Sequence, residues 1–233
     1  MDNYESQQWE NQLLERFMEM VKAPYGDFAA IGNLSRATSD TESFQQIIES
    51  LSRYPQAKSA IQERFQLGNI DLLQLYRLPS DTFGYAYAAH MLDNGLKPLQ
   101  IPSVKDDYTY IGLHMTEIHD IWHVVTGSDT SMEGELQLHA FTAAQLHFAR
   151  FYWAMLAKNL LKTAIDAIEQ ADRRMDALTR GWMMGKQAHP LFGIRWNTLW
   201  EMPLEHLRAD FNIPTSNEKT VLAMGTLAVN CDR

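Results

Sequence analysis

The residues with the clearest chemical potential form the pattern His119-Asp120-x-x-His123, which is followed by Glu135 after eleven intervening residues. On a helix, His123 is rotated by roughly 40° from His119 and Asp120 by roughly 100°, because each residue advances by about 100°. Two imidazoles spaced by four residues can place both nitrogens about 2 Å from one ion. The pattern therefore predicts a divalent metal site, with Glu135 folding back from the next helix as a further ligand.

The predicted ligands are nitrogen and oxygen atoms, a set that suits zinc, iron or manganese. Cys231 is the single cysteine of the chain. A cysteine-based zinc ribbon and an intrachain disulfide framework are therefore excluded.

Each residue of the pattern also has an ordinary structural interpretation. Paired histidines on a half-buried helix face are often hydrogen-bonded core residues. Asp120 could accept a hydrogen bond from a ligating imidazole instead of binding the metal. Glu135 could favour a helix N-terminus, where a negative charge meets the helix dipole. His139, one turn after Glu135, is interpreted as a core histidine, and His114 projects to the opposite side of the motif helix.

Apolar residues recur every three or four positions along most of the chain, and no segment alternates with period two, so the sequence predicts an all-α fold. The looser residues 96–104, with two prolines, form a long connection. The predicted helices span residues 6–22, a segment capped by Ser39 and Asp40 that runs to residue 51, and residues 57–65, 71–78, 81–92, 107–126, 134–161, 164–184 and 196–211.

Composition limits the class of protein. The chain has 233 residues, of which 45% are hydrophobic and 21% charged, as expected for one large globular domain. A net charge of -9 disfavours nucleic acid as a partner. The N-terminus does not resemble a signal peptide, and no run of about 18 apolar residues occurs. We therefore expect a cytoplasmic protein whose membrane contact, if any, is peripheral.

The metal pattern and its surroundings resemble the signature of the Coq4 family of ubiquinone (coenzyme Q) biosynthesis proteins. The flanking matches are Leu78-Pro79, Gly84-x-x-Tyr87, Glu117, Gly134, Gly185-x-x-Ala188, Arg195-Trp196, Trp200-Glu201 and Leu204-x-x-Leu207-Arg208. The likeness covers roughly residues 75–214, which divides the chain into an N-terminal helical segment (1–70) outside the likeness, a family-like core (71–214) and a tail (215–233). We expect three departures from the family: no mitochondrial targeting segment, an additional N-terminal segment of about 70 residues, and Lys186-Gln187 in place of the family's basic pair.

The resemblance implies an all-α homodimer whose helices pack around an apolar cavity for a polyprenylated quinone precursor. It also implies peripheral membrane contact and a role in organising other quinone-biosynthesis enzymes. Family members are implicated in oxidative decarboxylation of a polyprenyl hydroxybenzoate at a divalent metal. By the motif, His119, Asp120, His123 and Glu135 would hold the metal, and Asp120 or Glu135 would move protons. Zinc is favoured, with iron, manganese or magnesium as alternatives.

Further residues are candidates for ligand contacts. Lys186 and Arg180 could meet a carboxylate or phosphate head group, although cations also serve helix ends. The methionines Met115, Met155, Met183 and Met184 could line a site for a prenyl tail, but core filling is favoured. The aromatic-rich residues 148–155 could contact a membrane or a second copy of the chain.

Two other enzyme classes remain for comparison. A metal-dependent phosphohydrolase of the HD-like kind would need a further histidine and a distant aspartate, and no such pair can be placed. A carboxylate-bridged di-iron oxidase would need two Glu-x-x-His elements, and the chain contains none. A lipid carrier with a purely structural metal is a third alternative.

Overall fold

The computed structural model describes residues 3–24, 26–39, 41–104 and 106–214. Within these ranges the fold is all-α, as predicted, and no sheet is formed. The helices are α1 (Asn3–Lys22), α2 (Phe28–Ala37), α3 (Thr41–Leu51), α4 (Pro55–Glu63), α5 (Leu72–Leu75), α6 (Phe83–Asp93), α7 (Asp107–Glu117), α8 (His119–Thr126), α9 (Met132–Gln145), α10 (Arg150–Asp166), α11 (Ala171–Gln187) and α12 (Leu204–Asp210). Across the described residues, no helix combines the length and apolar character needed to span a membrane.

The helices pack in two compact units. Among the described residues, the first unit contains those up to 53 together with 131–185, and the second contains those of 54–130 together with 186–214. In the first unit, Met20, Leu34 and Met155 form one core cluster, and Leu136 with Leu156 belongs to another. α10 thus packs against α1 on one side and against α9 on another.

Two glycines of α11 let this helix approach α9 closely. A Cβ atom on Gly181 would lie 1.9 Å from the carbonyl oxygen of Gln137, and one on Gly185 would lie 2.6 Å from that of Phe141. The Gln145 side chain donates to the Gly185 carbonyl over 2.8 Å. The close contact between the backbones of α9 and α11 is therefore possible only because Gly181 and Gly185 have no side chain.

The second unit is built around α6. Phe83 and Tyr87 are buried on this helix, and both rings stack on Trp200, with centroids 4.8 and 5.3 Å away. The backbone of α6 is also tied to the segment before α12, because Gly84 N–H donates to the Trp200 carbonyl over 2.8 Å. α8 packs beside α6 and α12 within the same unit. This arrangement fixes the helix that carries the histidine pattern.

The structure differs from the sequence prediction in several places. The helix expected at 71–78 is the single turn α5, and the one expected to begin at residue 164 begins at Ala171, because α10 continues to Asp166. The single helix expected at 107–126 is interrupted at Ile118, and the one expected at 134–161 is interrupted at residues 146–149. At 196–211 a short 3₁₀ turn and α12 replace one helix, because Pro203 lacks the N–H that helix continuation requires. α2 was not predicted at all. The interruptions at Ile118 and 146–149 contain no proline or glycine that marks them in the sequence.

The methionines proposed for a prenyl site are mostly core residues. Met115, Met155 and Met184 are buried, whereas Met183 is exposed. Core filling therefore accounts for three of the four.

The close contact between α9 and α11 generates a stability prediction. Gly181→Ala should lower the free energy of unfolding by about 1–3 kcal/mol, because the added methyl group would overlap the Gln137 carbonyl. Gly112→Ala is the matched control, because a Cβ at this position in the middle of α7 meets nothing within 4 Å. Its free energy of unfolding should rise by up to about 1 kcal/mol, since alanine favours a helix more than glycine does. Urea denaturation measures both, and equal stability of Gly181→Ala and wild type would contradict the proposed packing.

A second prediction concerns Lys158, which is 4% exposed in α10. Burial lowers the pKa of its amine, the charge of Lys162 lowers it further, and Glu135 opposes the shift. Between this lowered pKa and the unfolded value of about 10.4, the unfolded chain binds more protons, so the contribution of Lys158 to stability rises with pH. Lys158→Met should therefore stabilise the protein at pH 7 by about 1 kcal/mol or more.

The Lys158→Met gain should shrink as the pH approaches 10, and urea denaturation at several pH values measures this trend. Lys58→Met, at an exposed position on α4, is the control and should show neither the gain nor the trend. A gain that is constant with pH would rule out the buried charge as its cause.

Candidate metal centre

The histidine pattern lies on α8, whose ends are set by local backbone geometry. Ile118 separates α8 from α7, with φ of -93° and ψ of 1°. At the other end Gly127 adopts a left-handed φ of 64°, which glycine tolerates without strain. The chain then reverses, and Ser128 N–H donates to the His123 carbonyl over 3.0 Å.

α8 is amphipathic, and its apolar face orients the candidate ligands. Ile121, Trp122 and Val125 are at most 1% exposed. Burial of these side chains leaves His119 and Asp120 half-buried, while the His123 side chain is buried. The packing of α8 thus presents His119, Asp120 and His123 as a group.

The predicted helical spacing brings the ligand atoms together. His119 Nε2 lies 3.2 Å from His123 Nε2, and their rings are nearly perpendicular. One ligand atom from each of His119, Asp120 and His123 lies within 4.8 Å of the others. Two nitrogens bound to one tetrahedral ion at about 2.0–2.1 Å would be about 3.3–3.4 Å apart. The imidazole separation therefore fits a shared ion.

A backbone carbonyl fixes the tautomer of His123. His123 Nδ1 lies 3.1 Å from the Ser128 carbonyl oxygen, which can only accept a hydrogen bond. Nδ1 must carry the proton, so Nε2 of the neutral ring presents its lone pair to His119 and Asp120. This is the usual way in which a metal-binding imidazole is oriented.

Asp120 is held in its ionised form despite its surroundings. Burial raises the pKa of the Asp120 carboxyl, but interaction with His90 and the positive charges available to His119 and His123 outweigh burial and lower it overall. The carboxylate is therefore available for a cation at neutral pH.

α6 contributes two side chains that the sequence did not assign to the site. His90 Nε2 lies 3.8 Å from Asp120 Oδ1, and the His90 ring stacks on His123 with centroids 5.5 Å apart. Tyr87 is buried one turn earlier, and burial, followed by the charges of Asp120 and Glu117, raises the pKa of its hydroxyl. The sequence signal was Gly84-x-x-Tyr87 on the same helix, but only the packing of α6 on α8 reveals the contacts.

The C-terminal end of α8 is also held by Arg208 of α12. Its guanidinium donates from Nε to the Val125 carbonyl over 2.9 Å and from Nη2 to the Val124 carbonyl over 2.8 Å. Helix ends leave such carbonyls without intrahelical partners, and a cation is favoured there. Arg208, one of the residues that carry the family resemblance, therefore stabilises the helix of the candidate ligands.

Glu117, another of these residues, has a structural role before the motif. Its carboxylate accepts a hydrogen bond from Leu67 N–H over 2.9 Å and lies 3.1 Å from His114 Nδ1, and both side chains are buried. The His114 ring stacks on Tyr110. His114 and Glu117 therefore anchor the loop after α4 to the end of α7.

The remaining predicted site residues stay predictions. Glu135 lies half-buried in the first turn of α9, in the first unit, and its role as a fourth ligand is untested. In that unit Arg180 donates from Nε to Gln137 Oε1 over 3.3 Å. Lys186 is exposed near the end of α11. Neither the Arg180 contact nor the exposure of Lys186 identifies a ligand head group. His139 is buried, with Nδ1 3.4 Å from the Asn159 amide.

A solved structure has a similar fold. The crystal structure of a protein from Nostoc punctiforme PCC 73102, provisionally assigned to ubiquinone biosynthesis, superposes with a TM-score of 0.77. The match covers 88% of this chain and 99% of that chain, at 24% sequence identity. The comparison supports the arrangement of helices.

Curated relatives carry names from the same pathway. The ubiquinone biosynthesis protein COQ4 homolog of Drosophila ananassae is 26% identical over 164 residues, which are 66% of this chain and 59% of the relative. The homolog of Danio rerio is 27% identical over 159 residues, which are 64% and 56% of the two chains. This chain thus spans less than two thirds of these relatives. Both are named as mitochondrial, so the cytoplasmic location expected here stays a prediction.

The family comparison covers most of the sequence. Residues 1–217 match the family described as coenzyme Q (ubiquinone) biosynthesis protein Coq4, and this range includes residues 1–70, which lay outside the resemblance noted from motifs. The chain belongs to the Coq4 family of coenzyme Q (ubiquinone) biosynthesis proteins.

Proposed function

We propose that this protein binds one divalent metal ion at His119, Asp120 and His123 and acts on, or presents, a polyprenylated ring precursor of ubiquinone. The observation that carries the metal proposal is the 3.2 Å separation of the two imidazole Nε2 atoms, with a carboxylate oxygen close by. Family membership supports the pathway.

The donor set favours zinc, because two imidazoles and a carboxylate are a common zinc-binding combination. The same three residues could bind iron, manganese or magnesium if further oxygen ligands completed the coordination of the ion. When bound, the metal would supply Lewis acidity toward a carboxylate or phenol oxygen of the precursor.

The roles of the chain's own residues follow from their positions. His123 presents Nε2 because the Ser128 carbonyl holds Nδ1–H. Asp120 is ionised and partly exposed, so it can neutralise a cation or accept a proton from a phenolic group. Trp122 and Ile121 exclude water from the opposite side of α8.

Glu135 decides between two versions of the proposal. With Glu135 bound, a tetrahedral zinc would have four protein ligands, as structural sites do. Without Glu135, three protein ligands leave a position for substrate, as catalytic zinc sites do. The first version favours a scaffold that presents the precursor to other enzymes of the pathway. The second favours an oxidative decarboxylase, which would need dioxygen as the oxidant and iron or manganese in place of zinc.

The metal proposal predicts one ion per chain. After chelation and dialysis, titration with zinc should give a stoichiometry close to one for wild type. His119→Ala and His123→Ala should weaken binding by more than about 100-fold, because loss of even an outer partner costs 10–100-fold. His206→Ala, at an exposed position on α12, is the matched control and should bind like wild type.

Circular dichroism of the metal-free variants checks that they are folded. His119→Ala keeps this test decisive if loss of the buried His123 ring disturbs folding. A wild-type protein without bound zinc, iron or manganese, or an unchanged affinity in folded His119→Ala, would refute the metal proposal.

The lipid proposal predicts discrimination by the prenyl tail. The protein should bind a polyprenyl 4-hydroxybenzoate much more tightly than 4-hydroxybenzoate itself, because burial of apolar tail surface is favourable at roughly 25 cal/mol per Å². Equilibrium binding with increasing tail lengths measures the effect. Equal affinities for prenylated and unprenylated rings would contradict lipid recognition.

A further inference from the structure

His90 occupies a position on α6 that faces the candidate ligands of α8. Its side chain is 13% exposed, and its Nε2 lies 3.8 Å from Asp120 Oδ1. Its ring also stacks on the ring of His123, with an interplanar angle of 23°. One imidazole outside the histidine pattern thus contacts two of the three residues within it.

The hydrogen bonding of His90 is incomplete. Among the described residues, its buried Nε2 has no hydrogen-bond partner. A separation of 3.8 Å exceeds hydrogen-bond range, yet a small rotation of either side chain would close it. Buried polar atoms without partners are uncommon in folded proteins and call for an explanation. Asp120, the carboxylate that faces this nitrogen, is also a candidate metal ligand.

His90 is distinct from the ligands themselves. The group of ligand atoms that lie within 4.8 Å of one another consists of His119, Asp120 and His123 and does not include His90. A residue just outside such a group commonly orients a ligand, since metal-bound carboxylates are themselves hydrogen-bonded by neighbouring side chains.

We propose that His90 is a positioning residue of the metal centre. Its Nε2–H donates to Oδ1 of Asp120, which directs the other carboxylate oxygen to the ion, and its ring fixes the plane of His123. This inference rests on the proposed metal site and assigns a residue of α6 to the support of its ligands. Metal affinity then depends on the packing of α6 against α8 as well as on the motif.

Two substitutions separate the donor from the ring. His90→Phe keeps an aromatic surface for His123 but removes the N–H donor. His90→Gln restores an N–H donor without the ring. His206→Gln, at an exposed position on α12, is the control for loss of a histidine. Each full-length variant is made metal-free and then titrated with zinc against a competing chelator.

We expect His90→Phe to weaken zinc binding by about 10–100-fold, the usual effect of losing an outer partner, and His90→Gln to recover most of the loss. The visible absorption bands of the cobalt-substituted protein should shift in His90→Phe and return toward wild type in His90→Gln. His206→Gln should match wild type in both measurements. Thermal unfolding of the metal-free proteins reports any general loss of stability separately.

Several results would overturn the inference. If wild type binds zinc and His90→Phe binds it equally well, His90 has no positioning role although the metal site stands. If His90→Phe lowers only the unfolding temperature of the metal-free protein, the role is structural packing. If X-ray absorption spectroscopy counts one fewer histidine around zinc in His90→Phe, His90 is a ligand. A wild type that binds no metal refutes the proposed function and this inference together.

Discussion

The hydrogen bond from His123 Nδ1 to the Ser128 carbonyl depends on a chain reversal directly after α8. The left-handed conformation of Gly127 permits that reversal, and Ser128 N–H returns to the His123 carbonyl. The same turn therefore ends the helix, orients the imidazole and selects its tautomer. Arg208 of α12 also donates hydrogen bonds to the Val124 and Val125 carbonyls and so stabilises the same end of α8.

The second unit supports the candidate centre through ordinary core packing. Phe83 and Tyr87 are buried against Trp200, which fixes α6, and α6 in turn packs on α8. His90 follows Tyr87 by about one helical turn and therefore faces Asp120 and His123. Stability and ligand geometry thus share the same contacts in this part of the chain.

The sequence predicted the features that depend on local spacing. His119 and His123 are four residues apart on one helix, and this spacing alone brings their nitrogens together once α8 forms. His90 could not be found in this way, because its contact with Asp120 arises only when α6 and α8 pack. The interruption at Ile118 was missed because no proline or glycine marks it. Pro203 does mark the start of α12, but the single helix predicted at 196–211 ignored that signal and was wrong there. The eleven-residue spacing to Glu135 does not fix where that side chain lies, so its role stays a prediction.

The most direct test of the metal centre is anomalous X-ray diffraction from crystals of the zinc-loaded protein, recorded on both sides of the zinc absorption edge. The proposal predicts a zinc peak bound by Nε2 of His119, Nε2 of His123 and a carboxylate oxygen of Asp120. The same map shows whether Glu135 completes the set. A zinc peak that lies elsewhere, or the absence of a peak between the two imidazoles, would contradict the proposed metal centre.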